Sequence, residues 1–186
     1  MSEALHTEAK SRRDARPWLL LISLVAIVLD RVTKIAVAKN VVMGSGIDVI
    51  PHVFRITHVL NTGAAFSMFA DSASPVAVRV GLVSFSVIAA VAVLVMLWRY
   101  GKVWSASSVG FALVLGGAIG NLYDRAVFHY VVDFLEVHIV HYHFPDFNVA
   151  DSCITVGAVL LVAEMIWPSK SASQKDVVDA GDVRGI

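Results

Sequence analysis

Long apolar runs separated by short polar connections set the pattern of this chain. Val80 to Trp98 and Val103 to Tyr123 carry no charge, and each is close to the roughly 20 apolar residues a helix needs to cross a bilayer. Another run opens at Pro17 and Trp18 and stays uncharged to Leu29. Reaching spanning length brings in Asp30, Arg31 and Lys34, so that helix is charged at its far end. The last run, about Val149 to Trp167, begins with the acid Asp151, holds Glu164 near its exit and ends on a tryptophan suited to the interface. The pattern predicts an α-helical integral membrane protein with four transmembrane helices, over about 17–37, 78–98, 103–123 and 149–167.

The connections have patterns of their own. From Gly46 to Leu60, Ile47, Val49, Val53, Phe54, Ile56 and Leu60 are interspersed with polar residues and Pro51 breaks the run, which predicts short half-buried strands in a small extracytoplasmic β-sheet. Gly63 after Asn61 and Thr62 marks a turn, and Ala64 to Phe69 is expected to form a short interfacial helix. The stretch from Arg125 to Asn148 reads as a connecting loop. Residues 1–16 read as a cytoplasmic N-terminal segment ahead of a membrane domain over 17–168, and the Ser-, Asp-, Lys- and Gly-containing stretch 169–186 as a disordered cytoplasmic tail.

Composition agrees with this reading. The 186 residues are 57% hydrophobic and only 16% charged, with a mean hydropathy of +0.72, whereas soluble domains carry about a quarter charged residues. Lys plus Arg and Asp plus Glu both total 15, which leaves no basic excess to hold nucleic acid. Their distribution is more informative. Lys10, Arg12, Arg13 and Arg16 precede the first span, Arg99 and Lys102 fill the connection between the second and third, and Lys170 and Lys175 follow the fourth. Cytoplasmic flanks collect basic residues, so both termini are expected in the cytoplasm and segments 40–75 and 125–148 outside. A cleavable signal peptide ending near Ala36-Val37-Ala38 is disfavoured by Asp30, Arg31 and Lys34 between the apolar core and that site. The only cysteine, Cys153, cannot form an internal disulfide and sits in an apolar run, the setting of an inert thiol.

Ionisable groups at membrane depth are candidates for function, and here they fall at the ends of the apolar runs. Asn121 and Arg125 are four residues apart and share a helix face if the third helix continues that far, with Asp124 adjoining it. Asn148 and Asp151 are three apart at the start of the fourth helix. Asp133 lies eighteen residues before Asp151, and a helix hairpin can return it there. Two carboxylates meeting in a poorly solvated site share one proton near neutral pH, since both cannot ionise cheaply. That state suits amide hydrolysis: the ionised acid takes a proton from attacking water while the protonated one hydrogen-bonds the carbonyl oxygen. Asn and Arg side chains can orient the peptide.

Each residue also has a plainer role. Asp151 can cap a helix, Asp133 can be a solvated loop residue, and Asn121 can hydrogen-bond a neighbouring helix. Arg125 can snorkel to headgroups or pair with Asp124, and Gly116, Gly117 and Gly120 suit close helix packing. His138, His141 and His143, near Glu136, lack the spacing of a zinc site such as His-Glu-x-x-His; neither a metal nor another cofactor is predicted. A transporter using the carboxylates as a proton relay, and a non-catalytic scaffold, are the competing classes; the absence of internal repeats weighs against transport.

Taken together, five segments resemble the lipoprotein signal peptidases, the type II signal peptidases of bacteria. They are Leu29 to Lys34, Asn61 to Ser67, Gly116 to Arg125, Val132 to Phe134 and Phe147 to Asp151. The resemblance implies a four-helix membrane aspartyl endopeptidase of the bacterial inner membrane, with a small extracytoplasmic sheet and short helix and with its active site at the extracytoplasmic face. It implies that Asp133 and Asp151 are catalytic, and that Asp30, Asn61, Gly63, Asn121, Arg125 and Asn148 support the site or contact substrate; Lys34 and Asp124, beside them, are placed in the same group. Its implied partners are prolipoproteins carrying a diacylglyceryl-modified cysteine, membrane lipids, and globomycin-type inhibitors. Asp30 costs about 3 kcal/mol near the middle of a span and less at its edge; bracing the outer loop or Lys34 would offset that.

Overall fold

The computed structural model describes residues 14–63, 75–140 and 142–167. Its elements are α1 (Arg16–Asn40), β1 (Gly46–Ile50), β2 (Phe54–Asn61), α2 (Pro75–Tyr100), α3 (Ala106–Val127), β3 (Val131–Ile139), β4 (Tyr142–His143) and α4 (Val149–Ile166). The predicted interfacial helix at 64–69 and the tail from 169 onward lie outside the described residues. By length and composition α2, α3 and α4 can each cross a membrane. α1 runs for 25 residues but carries Arg16, Asp30, Arg31, Lys34 and Lys39.

The helices are apolar on the outside. α1 buries Leu19, Ser23, Ala26, Asp30, Lys34 and Val37 at spacings of three or four, one helix face, and exposes Leu20, Leu21, Leu24, Val25, Val28 and Val32. In water that arrangement would be upside down; in lipid it is what the solvent demands. α4 likewise exposes Val156, Val159, Val162 and Met165.

α3 packs against α1, α2 and α4, and glycines allow the close approach. A Cβ at Gly110 would stand 2.8 Å from the Gly157 carbonyl oxygen, one at Gly117 would run into the Ala150 carbonyl oxygen, and one at Gly116 would meet Ser23 and Ala26 of α1 at 2.8 Å. Small residues are the usual device for helix contact in membranes. Ser23 Oγ adds an interhelical hydrogen bond to the Ala112 carbonyl, 2.8 Å.

Both ends of α3 differ from the sequence expectation. α3 starts at Ala106 rather than 103 because Ser105 caps it in a reciprocal box with Ser108. At its other end it passes Tyr123 and continues to Val127, which brings Asn121, Asp124 and Arg125 into one helix.

The larger correction concerns the outer segment after α3, which is not a plain loop. Val131 to Ile139 forms β3, the third strand of an antiparallel sheet in the order β1-β2-β3-β4. Pro51 sits in the turn between β1 and β2, as its pattern predicted. The register of β2 against β3 shifts between Ile56 and Val59, after which Val59 pairs with Asp133 and Asn61 with Val131. Such irregularities turn side chains to a new face. Here Asn61 and Asp133 end as diagonal neighbours on the same face, within side-chain reach. Val37 and Val41 at the end of α1 pack on Val132 and Phe134 of β3 and fasten the sheet to the helices.

Candidate active site

The polar residues converge where the sheet meets the ends of α1, α3 and α4. Phe147 supplies the last positioning step: its backbone pairs with Leu135 and Phe134, including Leu135 N–H to Phe147 O at 2.8 Å and Phe147 N–H to Leu135 O at 3.1 Å. This delivers Asn148 beside Asp133. Asn148 is the N-cap of α4 and forms a reciprocal box with Asp151. The capping role foreseen for Asp151 is therefore real but shared: Asn148 caps, and Asp151 closes the box from N3.

Three asparagine amides tie the two carboxylates into one network. Asn61 Nδ2 donates to Asp133 Oδ2 at 2.9 Å, Asn148 Nδ2 to Asp133 Oδ1 at 2.7 Å, and Asn121 Nδ2 to Asp151 Oδ1 at 2.8 Å. The Asn148 backbone N–H donates to Asp151 Oδ2 at 3.1 Å. Each amide is also fixed from behind. The Asn61 Oδ1 accepts from the Gly63 N–H at 3.0 Å, the Asn148 Oδ1 from the Asp151 N–H at 3.0 Å, and the Asn121 Oδ1 from Lys34 Nζ at 3.1 Å. An Asn has one acceptor end and one donor end, so a donor held on Oδ1 turns Nδ2 onto the carboxylate.

Beneath this layer lies a buried ionic cluster. Lys34 Nζ stands 2.8 Å from Asp30 Oδ2 and 2.7 Å from Asp124 Oδ2. The side chains of Lys34, Asp30 and Asp124 are 1%, 2% and 2% exposed, so none could be carried there without its partners. Asp30 Oδ1 accepts from the Ala150 N–H at 2.9 Å, joining α1 to the first turn of α4. Gly120 leaves room for that carboxylate: a Cβ there would stand 2.8 Å from Asp30 Oδ2.

Asp133 is 4% exposed, not a solvated loop residue. Burial pushes its carboxyl up to about 6; hydrogen bonds from Asn61 and Asn148 and the charge of Lys34 oppose the rise, and the charge of Asp151 adds to it. Arg125, half-buried, has its Nε buried without a hydrogen-bond partner among the described residues. Its charge interacts with Asp151, Asp133 and Asp124, and it lines a cavity of about 250 Å³ with Arg79, Ser84 and His129.

The structure therefore gathers Asp30, Lys34, Asn61, Gly63, Asn121, Asp124, Asn148, Asp133 and Asp151 into one contiguous set, with Arg125 at its edge. Arg31 was not singled out from the sequence, yet its Nη1 donates to Asp124 Oδ1 at 3.1 Å and its guanidinium lies 4.5 Å from the Phe128 ring centroid. Its place three residues before Lys34 was the available signal. The His138 and His143 rings meet tilted at 48°, 4.1 Å between centroids, and His138 Nε2 stands 3.0 Å from Glu136 Oε1, on the sheet hairpin.

An apolar exterior around buried carboxylates at one end of a helical bundle defines the class: a multi-pass membrane protein with a polar site at the helix ends. Comparison with known proteins gives the particular family. The model of the signal peptidase (SPase) II family matches residues 22–167, and the chain belongs to that family of membrane peptidases. It is 44% identical over 165 residues to a lipoprotein signal peptidase of Ectopseudomonas mendocina, covering 88% of this chain and 96% of that one. It is 46% identical over 156 residues to the lipoprotein signal peptidase of Pseudomonas aeruginosa, covering 83% and 90%. Two solved structures share the fold, both described as bacterial membrane enzymes determined by the in meso method. One aligns with a TM-score of 0.75 at 28% identity, covering 86% of this chain and 94% of its own. The other aligns at 0.67 and 29%, covering 85% and 99%.

Proposed function

We propose that this protein is an aspartic endopeptidase that removes signal peptides from bacterial prolipoproteins, cutting before the diacylglyceryl-modified cysteine, with Asp133 and Asp151 as the catalytic pair. The observation that carries the reading is that one residue, Asn148, hydrogen-bonds both carboxyls, through its amide to Asp133 and its backbone N–H to Asp151. Bonds to a single capping residue hold the acids as a unit. The names of the relatives support the substrate class.

In this mechanism water between the carboxyls attacks the scissile carbonyl carbon. The ionised acid accepts the water proton, the protonated acid hydrogen-bonds the carbonyl oxygen, and the tetrahedral intermediate collapses as the departing nitrogen receives a proton. Asn61, Asn121 and Asn148 hold the carboxylates in orientation, Gly63 fixes Asn61, and the Asp30–Lys34–Asp124 cluster braces the layer above it. Arg125, which lines the cavity beside the site and carries an unmet donor, is suited to a peptide carbonyl of the substrate.

In the same reading α1 also spans the membrane. Its 25 residues measure about 38 Å, longer than the roughly 30 Å hydrocarbon core, and its outward face is apolar. The Ala15 N–H bonds to the Lys102 carbonyl at 3.1 Å and the Ser107 N–H to Glu164 Oε2 at 3.2 Å, so the start of α1, the α2–α3 connection and the end of α4 share one end of the bundle. Arg99 and Lys102 at that end favour the cytoplasm. The site, at the other end, then faces outward from the bacterial inner membrane. A lipid-anchored substrate enters sideways between helices, and globomycin-type inhibitors compete for the same place.

The direct test is cleavage in detergent micelles of a prolipoprotein with and without its diacylglyceryl group. Release of the signal peptide from the modified precursor, and not from the unmodified one, is expected. Ion flux in vesicles with no cleavage of either precursor would instead support transport.

The pH dependence follows from the raised carboxyl. The folded protein holds the Asp133 proton more tightly than the unfolded chain. This group's contribution to stability is therefore complete below 3.8 and lost as pH rises through about 6. For catalysis the pair needs one proton, so kcat/KM is expected to show two limbs, falling on the acid side when both carboxyls are protonated and on the alkaline side when both are ionised. A flat profile with chemistry rate-limiting would contradict the shared proton.

A further inference from the structure

Of the three amides that hold the carboxylates, two are fixed from behind by backbone N–H groups, of Gly63 and Asp151. The third, Asn121, is fixed by a side chain, the Lys34 ammonium. We infer that Lys34 is a positioning residue for the reaction: it sets the direction of the Asn121 amide, and through that amide the hydrogen bond that Asp151 receives. This rests on the reading of Asp133 and Asp151 as the catalytic pair.

The chemistry of the two ends of an amide carries the argument. Rotated by half a turn about its last torsion, the Asn121 amide would aim Oδ1 at the Asp151 carboxylate, acceptor against acceptor, and the stabilising bond would become a repulsion. Lys34 offers three donors and no acceptor, so it tolerates only Oδ1 on its side. Its charge is paired with Asp30 and Asp124, which holds the ammonium in place while it donates to Asn121 Oδ1. Asn148 Nδ2 also reaches Asn121 Oδ1, at a longer 3.3 Å, and its main bond is to Asp133.

A stability role alone does not account for such a residue. A buried ion cluster usually adds little over well-packed apolar side chains, and an intramembrane lysine is costly. A rigid ammonium aimed at the amide that holds a reacting carboxylate gives that cost a function. Asp30 ties the same cluster to α4 through the Ala150 N–H, so the lysine and the helix bearing Asp151 move together.

The experiment compares Lys34→Met, Asn121→Ala, the double variant and Asp151→Asn, each purified in detergent, on one diacylglyceryl-modified prolipoprotein. Lys34→Met is expected to lower kcat about 100-fold, the loss typical of a small misplacement of a reacting group, with KM within about twofold of wild type. Asp133 on β3 feels the charges of Asp151 and of Lys34 on α1, Arg125 on α3 interacts with both aspartates, and Asp30 and Asp124 are paired with Lys34. Removing Lys34 leaves the carboxyls with less positive charge nearby, so the acid limb of kcat/KM moves to higher pH. Adding Asn121→Ala to Lys34→Met is expected to cost nothing more, because one acts through the other. Lys34→Met/Asp124→Asn removes one charge of each sign; it provides the same readout where the single variant unfolds, with the same kcat loss expected.

Wild-type kcat in Lys34→Met or in the charge-balanced variant would overturn the inference, as would losses from Lys34→Met and Asn121→Ala that simply multiply. An active Asp151→Asn would bring down the catalytic pair, and this inference with it. An inactive Asp151→Asn beside an unimpaired Lys34→Met would overturn only the role of the lysine.

Discussion

Asp151→Asn and Asp133→Asn are each expected to slow signal-peptide cleavage by about 10²- to 10⁴-fold, the usual worth of a positioned general acid or base. The substitution keeps the shape and removes the ionisation. In Asp151→Asn the remaining carbonyl oxygen can still accept from the Asn148 N–H and close the capping box of α4, while the new amide meets the donor of Asn121. In Asp133→Asn the same conflict arises with Asn61 or Asn148. One mismatched buried donor costs about 1–3 kcal/mol. Thermal unfolding should therefore report a folded protein with a modestly lower midpoint while precursor cleavage in detergent yields almost no product. Full cleavage by either variant would remove that aspartate from the reaction; unfolding of both would leave Asp→Glu to carry the test, with loss of turnover again expected.

The largest effect on folding is expected at Gly117. Any side chain there drives its Cβ into the Ala150 carbonyl oxygen and within 2.8 Å of Ile154 Cγ1, so even Gly117→Ala must push α4 from α3. Overpacking of this kind costs about 1–3 kcal/mol, and backbone obstruction puts this site at the upper end. The displacement falls one residue from Asp151, on the residue whose N–H bonds Asp30. Activity should accordingly fall further than the lost stability explains. Gly81 on α2, where an added Cβ meets nothing within 4 Å, supplies the control: Gly81→Ala should unfold and turn over as wild type does. Equal behaviour of the two alanine variants, followed by thermal melts and cleavage rates, would show that the α3–α4 contact is not as close as described.

Much of the fold was readable because lipid imposes simple rules. The charge-free runs became α2 and α3, and the alternation around Pro51 became β1 and β2. β3 was missed for a physical reason. Val131 to Ile139 carries Asp133, Glu136 and His138 among its apolar residues, so the polar members read as loop, although the β-branched Val131, Val132, Val137 and Ile139 were a strand signal. The end of α3 was misjudged because Asp124 and Arg125 close an apolar run, and apolarity marks the depth of lipid, not the end of a helix.

For the site, spacing alone put Asn121 with Arg125 and Asn148 with Asp151. The approach of Asp133 to Asn61 depends on a register shift inside β2, a long-range feature that no local pattern encodes. The burial of Lys34 against Asp124 is of the same kind, since α1 and α3 approach closely at glycines whose partners the sequence does not name.

The account turns on the two carboxyls working as one device, and a double-mutant cycle on turnover measures that property. Asp133→Asn, Asp151→Asn and the variant carrying both are assayed under single-turnover conditions on the lipid-modified precursor. Residues acting as a unit give strongly non-additive losses, so the doubly substituted protein should be no slower than the worse of the two singles. Losses that multiply would mean two independent contributions, and the paired mechanism would be wrong.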